Sequence, residues 1–430
     1  MSGDTISVAN VTECFVTARG GGIKAALDFP AKGVSLNIDE LMLAGWILDN
    51  DQRLGQFFVE VADVRVPMAV KRFRHGGLAS VGHEGEFGFS SALNLRALKY
   101  PKTVTIFGSN GAGLERTPLF SMQLEYSDIH VEPSRTPIII TAMGRSGTSY
   151  LMGLLSQHPA IASTRIFPFE DRFASYYANV FRAICRFGDS GSASDQFVRR
   201  EVWDFPSNDI LKASLFARLD TQARARAGSL IIAKSVSAAR QLIDACYNSF
   251  CGAETDRGAP FFAEKMIGYF KTQEILVSMY PNVREIILVR DFRDCFTSAK
   301  MFNEKRKFLH FGAEHAKCNV EWIDNFAGGA NDITLAAQQR KQSKIMRYED
   351  LVEDTHQELE RLFSWIGIDA APETVSACVS AVTKEAHSEH RTTYDVKDSV
   401  GKWKRELDPD LAELSNVKLE KALKYFGYIR

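Results

Sequence analysis

The sequence has no uninterrupted apolar run of the roughly 18 residues that a membrane-spanning helix needs. Its first residues also lack the basic stretch followed by an apolar one that marks a secretory signal, so we expect a soluble, cytoplasmic protein. The seven cysteines are odd in number and include no CxxC pair, which favours reduced thiols over a disulfide framework. With 52 Lys and Arg against 53 Asp and Glu, the chain lacks the positive excess of a general nucleic-acid binder.

The chain is nevertheless long and apolar enough to bury more than one core. Its 430 residues are 45% hydrophobic, which is enough for two or three domains. Over residues 1–130, short alternating runs are separated by Gly, Asn and Asp at a spacing typical of an antiparallel β-sandwich. These runs cover 45–51, 57–66, 85–95 and 102–113.

After residue 133 the pattern changes to buried strands that alternate with helices. Short apolar runs with helical periodicity between them predict an α/β domain, in which helices flank a central parallel sheet. The runs are 138–142, 229–233, 260–264, 284–289 and 343–348. The proline-containing stretch 128–137 is the predicted linker, so the second domain is expected to cover 134–430.

The most informative stretch joins a predicted strand to a predicted helix through Gly144-Arg145-Ser146-Gly147-Thr148-Ser149. Backbone N–H groups in such a loop, at the positive end of a helix, form a cradle for an anion. The two hydroxyls that end the loop can add donors, and the arginine adds a permanent positive charge. The loop is not a Walker A motif, because its spacing is shorter and the lysine is missing.

This loop resembles the 5′-phosphosulfate loop of sulfotransferases that use 3′-phosphoadenosine 5′-phosphosulfate (PAPS), particularly those of bacterial type. The stretch LVRDFRDCFTSA is similar to the family's 3′-phosphate motif, which implies that Arg290 and Ser298 grip the 3′-phosphate. The stretch that begins MRYEDL resembles another family segment and places Tyr348 at the donor site. The resemblance spans residues 134–430 and implies a P-loop-like fold and a sulfuryl donor without a metal.

The stretch SVGKWKREL resembles the family's C-terminal segment, which closes over the nucleotide. Gly401, Lys402 and Trp403 are therefore predicted to bind the donor. Lys402 and Lys404 are expected to face its phosphates, with Trp403 packed beneath the loop.

The resemblance also implies catalytic roles. Arg145 occupies the loop position of a catalytic Lys or Arg and would stabilise the charge that develops on the leaving 5′-phosphate. Lys265 ends a predicted strand where many members carry a lysine before a proline. Met266 follows here instead, so a contact with the donor and a pair with Glu264 both stay open.

Glu170 is the predicted catalytic base. Related protein-tyrosine and heparan sulfotransferases place a Glu after the helix that follows the loop, and the tyrosine enzymes have an Arg two residues later, as Arg172 is here. Asp171 and Glu264 are the alternatives. His158 directly precedes a proline, which favours a structural role.

The acceptor is expected to bind in the variable loops 160–225 and 301–340, where aromatic residues such as Trp203 occur. The N-terminal strands resemble a β-sandwich appended to bacterial glycosyltransferases and sulfotransferases, which favours a carbohydrate or glycolipid acceptor, with a peptide tyrosine or a small metabolite as the alternatives. A P-loop-type kinase or other phosphotransferase is the alternative activity, and a carbohydrate-binding protein without catalysis is a third possibility. His387 and His390 lie three residues apart and could in principle share a metal ion, but we expect no metal site there.

Overall fold

The computed structural model describes residues 4–429 apart from 17–22, 31, 34, 39–40, 50–53, 62–63, 69, 74–77, 79–84, 86, 110–115, 186–220, 251–257, 268–275, 341 and 385–395. The chain divides into two compact units. One unit comprises Met1–Pro133, Tyr176–Leu242 and Glu274–Pro281. The other comprises Ser134–Ser175, Ile243–Gln273 and Asn282–Arg430.

The first unit contains the predicted β-sandwich. A six-stranded antiparallel sheet has the order β3-β1-β10-β9-β5-β6, and a four-stranded one has the order β2-β4-β8-β7. Val59 of the larger sheet and Leu43 of the smaller one belong to the same buried cluster, so the core lies between the sheets. The strands are β1 (Asp4–Val16), β2 (Ile23–Phe29), β3 (Ser35–Asn37), β4 (Leu41–Asp49), β5 (Gln56–Val61), β6 (Val64–Pro67), β7 (Lys71–Phe73), β8 (Gly88–Leu93), β9 (Thr103–Ser109) and β10 (Arg116–Val131).

The second unit is built on a five-stranded parallel sheet with the order β12-β13-β11-β14-β15. Ile140 and Leu288 contribute to the buried cluster on one face, whereas Ile287 and Val289 contribute to the cluster on the other. Burial on both faces explains why these strands are continuous apolar runs in the sequence. The strands are β11 (Thr136–Ala142), β12 (Ile161–Ala162), β13 (Phe261–Ile267), β14 (Arg284–Val289) and β15 (Lys344–Arg347).

Helices connect and cover these strands. They are α1 (Thr148–Leu155), α2 (Phe173–Cys185), α3 (Thr221–Phe250), α4 (Phe292–Arg306), α5 (Asn319–Gln339), α6 (Tyr348–Glu353), α7 (Thr355–Ile366), α8 (Pro372–Lys384), α9 (Trp403–Glu406), α10 (Pro409–Lys418) and α11 (Glu420–Tyr425). Among the helices of the described residues, none is both long and apolar enough to cross a membrane.

Two expectations about secondary structure were wrong. The run 229–233 is part of α3 and not a strand. Its buried residues continue as Ile232, Val236 and Ala239, a helical spacing that five residues alone could not reveal. The linker is also shorter than 128–137, because β10 pairs with β1 as far as Val131 and β11 begins at Thr136.

Candidate active site

The glycine-rich loop follows β11 at the carboxyl end of the sheet and leads directly into α1. Gly147 has a φ of +92°, and a Cβ atom there would overlap the ring of Tyr348. At Gly144, a Cβ would lie 2.7 Å from a ring carbon of Phe311. Close packing therefore demands glycine at both positions. Among the described residues no side chain caps the start of α1, and its first turn holds no acidic residue, so these N–H groups suit an anion.

Arg290 leaves the carboxyl end of the neighbouring strand β14 and reaches this loop. Its Nη1 donates to the backbone oxygen of Arg145 over 3.1 Å, and its guanidinium lies 4.9 Å from the ring centre of Tyr348. Arg290 is only 4% exposed, yet its Nε has no hydrogen-bond partner among the described residues. A buried donor without an acceptor is costly, and an anionic ligand would satisfy it.

The two predicted phosphate motifs meet at a side-chain hydrogen bond. Nε of Arg145 donates to Oγ of Ser298 on α4 over 3.2 Å. The Arg145 guanidinium also lies 4.5 Å from the ring centre of Phe302 and 5.9 Å from that of Phe311. Arg145 is thus directed toward the predicted 3′-phosphate residues.

The C-terminal segment is held against the same helix by one carboxylate. Asp294 of α4 accepts the backbone N–H of Gly401 over 2.7 Å and that of Trp403 over 2.8 Å. This places Lys402, which is 2% exposed, within electrostatic range of Arg145 and Arg290.

The neighbours of Lys402 occupy different surroundings. The Trp403 ring packs under the guanidinium of Arg293, 4.0 Å away. Lys404 was expected to face the phosphates, but it is exposed and its Nζ lies 5.8 Å from the Trp403 ring centre. The difference follows from the short helix α9, which turns successive side chains in different directions.

Arg145, Arg290 and Lys402 form a group of mutually repelling cations, which we call the phosphate cluster. Burial, and then the charge of Arg290, lower the pKa of Arg145 to about 10. Burial likewise lowers the pKa of Lys402; Glu406 opposes this, and Arg290 and Arg145 add to it. Arg290 forms no ion pair within the described part of the chain. Such a cluster is suited to a ligand with several negative charges.

A second charged group, which we call the base cluster, lies on the other side of the loop. Nζ of Lys265 lies 2.7 Å from Oε1 of Glu170 and 3.2 Å from Oγ of Ser149. Arg172 donates to Oε2 of the same glutamate over 2.8 Å. Burial by itself would raise the pKa of Glu170, but the contacts with Lys265 and then Arg172 outweigh it and lower the pKa. Lys265 is therefore paired with Glu170 and not with Glu264.

The alternative bases have different surroundings. Glu264 is fully buried on β13, where its Oε1 accepts the backbone N–H of Ala174 and the hydroxyl of Tyr247, each over 2.8 Å. Burial raises its pKa to about 7, although these donors oppose the rise. Asp171 accepts a hydrogen bond from the hydroxyl of Thr164.

His158 has a structural role, in agreement with the sequence prediction. Its Nδ1 accepts the backbone N–H of Ala160 over 3.1 Å. Its Nε2 is therefore the protonated nitrogen and donates to the backbone oxygen of Asp369 over 2.9 Å. Both ring nitrogens are thereby engaged with backbone groups.

Arg145, Arg290 and Lys402 lie in one of these clusters, and Lys265 and Glu170 lie in the other, on either side of one loop. The ring of Tyr348 packs against Gly147 of that loop. Sequence reasoning missed Asp294, which orients the C-terminal segment, and Phe302 and Phe311, which flank Arg145. The spacing of Phe302 four residues after Ser298, on one face of α4, was the available signal. Trp203, His387 and His390 lie outside the described residues.

The fold is that of an α/β protein with a central parallel sheet flanked by helices, and the candidate site lies at the carboxyl end of this sheet. Residues 137–373, just over half of the chain, match the model of the sulfotransferase family. The chain belongs to the sulfotransferase family, and this membership supports sulfotransfer activity. Comparison with curated protein sequences finds no match.

Three solved structures show the range of similarity. The sulfotransferase domain from the curacin biosynthetic pathway is 16% identical, covers 67% of this chain and 99% of its own, and has a TM-score of 0.39. A sulfotransferase from Alicyclobacillus acidocaldarius is 18% identical, covers 69% and 95%, and has a TM-score of 0.36. Mouse sulfotransferase SULT7A1, solved as a complex with PAP, is 11% identical, covers 69% and 90%, and has a TM-score of 0.36. The family assignment rests on the family match and not on these structures.

Proposed function

We propose that the protein transfers a sulfuryl group from PAPS to a hydroxyl or amine acceptor. The observation that carries the proposal is the phosphate cluster, in which a buried guanidinium keeps one N–H without a partner among the described residues. A donor with two separate phosphate positions fits a cluster whose cations come from three distant parts of the chain. ATP would require no such grip on a 3′-phosphate, which disfavours the phosphotransferase alternative.

The residues divide between the two ends of the donor. The backbone of Gly144–Ser149, with its hydroxyls, would hold the 5′-phosphosulfate end. Arg290 and Ser298 would hold the 3′-phosphate, and Lys402 would approach it from the C-terminal segment. Tyr348 and Trp403 would act through packing, since their rings lie against Gly147 and Arg293.

The chemistry needs positive charge near the leaving oxygen and an acceptor for one proton. The donor supplies a sulfuryl group that is joined to its 5′-phosphate through a bridging oxygen. Arg145 and Lys265 are the cations next to the loop that can stabilise developing negative charge. Lys265 lies beside Ser149 and Glu170, whereas Arg145 is directed toward Ser298. Glu170, which is 45% exposed, would take the proton of the acceptor hydroxyl.

The acceptor is proposed to be a carbohydrate or glycolipid. The support is the resemblance of the N-terminal sandwich to those appended to glycan-modifying enzymes. The sandwich also has an open groove lined by Phe57, Arg65 and Arg72 among others, and aromatic rings with guanidinium groups suit a sugar bearing polar or anionic substituents.

Calorimetric titration of the full chain tests the donor assignment. Adenosine 3′,5′-bisphosphate should bind, whereas ATP should bind at least tenfold more weakly and plain sugars should not compete with either. Transfer of labelled sulfate from PAPS to a panel of glycans then tests the acceptor class. Tight, metal-dependent ATP binding without bisphosphate binding would establish the phosphotransferase reading instead.

A further inference from the structure

Lys265 connects the phosphate loop to the predicted base through a single ammonium group. It is 2% exposed, and its Nζ contacts Oγ of Ser149 over 3.2 Å and Oε1 of Glu170 over 2.7 Å. Ser149 belongs to the loop and the first turn of α1, whereas Glu170 precedes α2. A buried ammonium has few possible partners, so a change at one contact must affect the other.

Two positively charged side chains contact the single carboxylate of Glu170. Lys265 faces it from β13 and Arg172 from its own segment, so two cations hold one carboxylate. Asp171, the neighbouring acid, is engaged by Thr164. Arg172 and Arg145 both repel the Lys265 ammonium and so oppose the attraction of Glu170. A carboxylate held by two cations is a weak proton acceptor, because base strength falls with the pKa.

We propose that Lys265 couples donor binding to activation of the base. An anionic group bound against Ser149 competes with Glu170 for the Lys265 ammonium. Donor binding thereby releases Glu170 from one of its two cations and leaves it a stronger base. The inference rests on the proposed function, since it requires a 5′-phosphate or phosphosulfate on the Gly144–Ser149 loop.

The coupling has a consequence for the order of events. Glu170 becomes an effective proton acceptor only when the loop carries the anionic end of the donor. An acceptor that arrives first meets a carboxylate occupied by Lys265 and Arg172 and is not deprotonated. Lys265 is therefore assigned a role at both substrates, as a ligand of the donor and as the group that restrains the base.

The titration of the Glu170 carboxyl group measures this coupling without any turnover. Full-length protein carrying glutamate labelled with ¹³C at Cδ is titrated by NMR, and the Glu170 signal is assigned by its loss in Glu170→Gln. Saturating adenosine 3′,5′-bisphosphate should raise the Glu170 midpoint by about 1 to 2 pH units, the effect of losing one close cation. Adenosine 3′-phosphate is the matched ligand control, because it lacks the 5′ group and should leave the midpoint unchanged.

Variants separate the role of Lys265 from the direct field of the phosphate. In Lys265→Met the midpoint should already be raised without ligand, and the bisphosphate should add only a small further rise. Arg172→Gln is the matched control: it should raise the midpoint without ligand but preserve the full ligand-induced rise. Lys265→Arg keeps the charge and should retain the coupling, which guards against a folding defect in the methionine variant.

Three results would overturn the proposal. The first is an unchanged Glu170 midpoint while calorimetry shows the bisphosphate bound. The second is a ligand-induced rise of the same size in wild type and Lys265→Met, which would assign the effect to the phosphate field alone. The third is an absence of bisphosphate binding, which would overturn the proposed function and the coupling with it, and the calorimetry distinguishes that case from the first two.

Discussion

The phosphate cluster and the base cluster lie on either side of one loop but satisfy their charges in opposite ways. In the phosphate cluster, Arg290 is buried without an ion pair among the described residues and keeps one N–H without a partner. In the base cluster, Lys265 and Arg172 both reach the carboxylate of Glu170 over less than 3 Å. One cluster is built for a negative charge that comes from outside, and the other already contains its own.

This difference separates binding from chemistry. A buried cation that forms no close ion pair costs folding free energy, and a bound anion would offset that cost. A cation that already holds a carboxylate can instead exchange one partner for another. We therefore expect changes in the phosphate cluster to affect affinity and changes at Glu170 and Arg172 to affect the chemical step, whereas changes at Lys265 should affect both.

The largest expected effect is on the base cluster. Glu170→Gln keeps the shape of the side chain but removes the proton acceptor, so kcat should fall by about 10²–10⁴-fold. Bisphosphate affinity should not weaken, because the carboxylate does not touch the phosphate cluster. Steady-state kinetics at saturating donor and calorimetry measure the two quantities. Arg172→Ala should give a smaller, mixed defect; a near-normal kcat for Glu170→Gln would transfer the role to Asp171 or Glu264.

The carboxyl group of Glu264, next to Lys265 on β13, accepts hydrogen bonds from the neutral donors Ala174 and Tyr247. Its pKa is about 7 in the folded protein against 4.5 for an unperturbed glutamate, so the folded state binds the proton more tightly. The protonated carboxyl group contributes to the free energy of unfolding, and this contribution is complete below about pH 4.5. As the pH rises through 7 the contribution is lost, and the free energy of unfolding falls by about 3 kcal/mol. Glu264→Gln should not suffer this loss and should gain relative stability between pH 5 and 8.

Urea unfolding at the two pH values checks this expectation. Glu285→Gln is the matched control, because Glu285 is also buried in the sheet but pairs with Arg340 over 2.5 Å. That variant should be destabilised at both pH values, since it removes the charge that pairs with the half-buried guanidinium of Arg340. A pH-independent difference between wild type and Glu264→Gln would contradict the buried-carboxylate interpretation.

The phosphate cluster is tested by Arg290→Ala. Losing a charge-assisted contact costs about 2–3 kcal/mol, so bisphosphate should bind about 30- to 150-fold more weakly. Adenosine 5′-phosphate lacks the 3′ group and should be nearly indifferent to the change in calorimetric titrations. Arg284→Ala removes an arginine from the opposite end of β14 and should leave both affinities intact. Equal losses of affinity for both nucleotides would contradict the assignment of Arg290 to the 3′-phosphate.

The smallest expected effect concerns divalent metals. The phosphate cluster supplies positive charge from side chains, so sulfotransfer should change by less than about twofold when EDTA is added. The same assay with excess Mg²⁺ provides the control for chelation. Complete and reversible loss of activity would favour the phosphotransferase alternative.

Local patterns predicted much of this architecture. Alternating runs with turn residues between them identified β4, β5, β6, β8 and β9 of the sandwich but did not locate its other five strands. Continuous apolar runs identified β11, β13, β14 and β15, because burial on both faces removes the alternation. The run 229–233 failed because an apolar run of five residues fits a strand and a buried helix equally well. Only the longer spacing along α3 decides between them.

The site was predictable where its residues occur in motifs and not where they meet through space. Arg145, Arg290 and Ser298 could be named from their motifs, but the hydrogen bond between Arg145 and Ser298 joins residues 153 positions apart. The pairing of Lys265 with Glu170 depends on how the segment before α2 returns to β13, which no local pattern encodes. Sequence reasoning therefore named the groups without showing which cation pairs with Glu170.

The wide spacing of the phosphate cluster along the chain also determines when the site can exist during synthesis. Arg145 is made long before Arg290, and Lys402 is made last of the three, within the segment that Asp294 binds through the backbone N–H groups of Gly401 and Trp403. A nascent chain that has completed β11, α1 and even β14 still lacks the last cation. Binding of the proposed nucleotide to all three cations would therefore distinguish chains that have reached Lys402 from shorter folding intermediates, and by mass action it would stabilise only the longer chains.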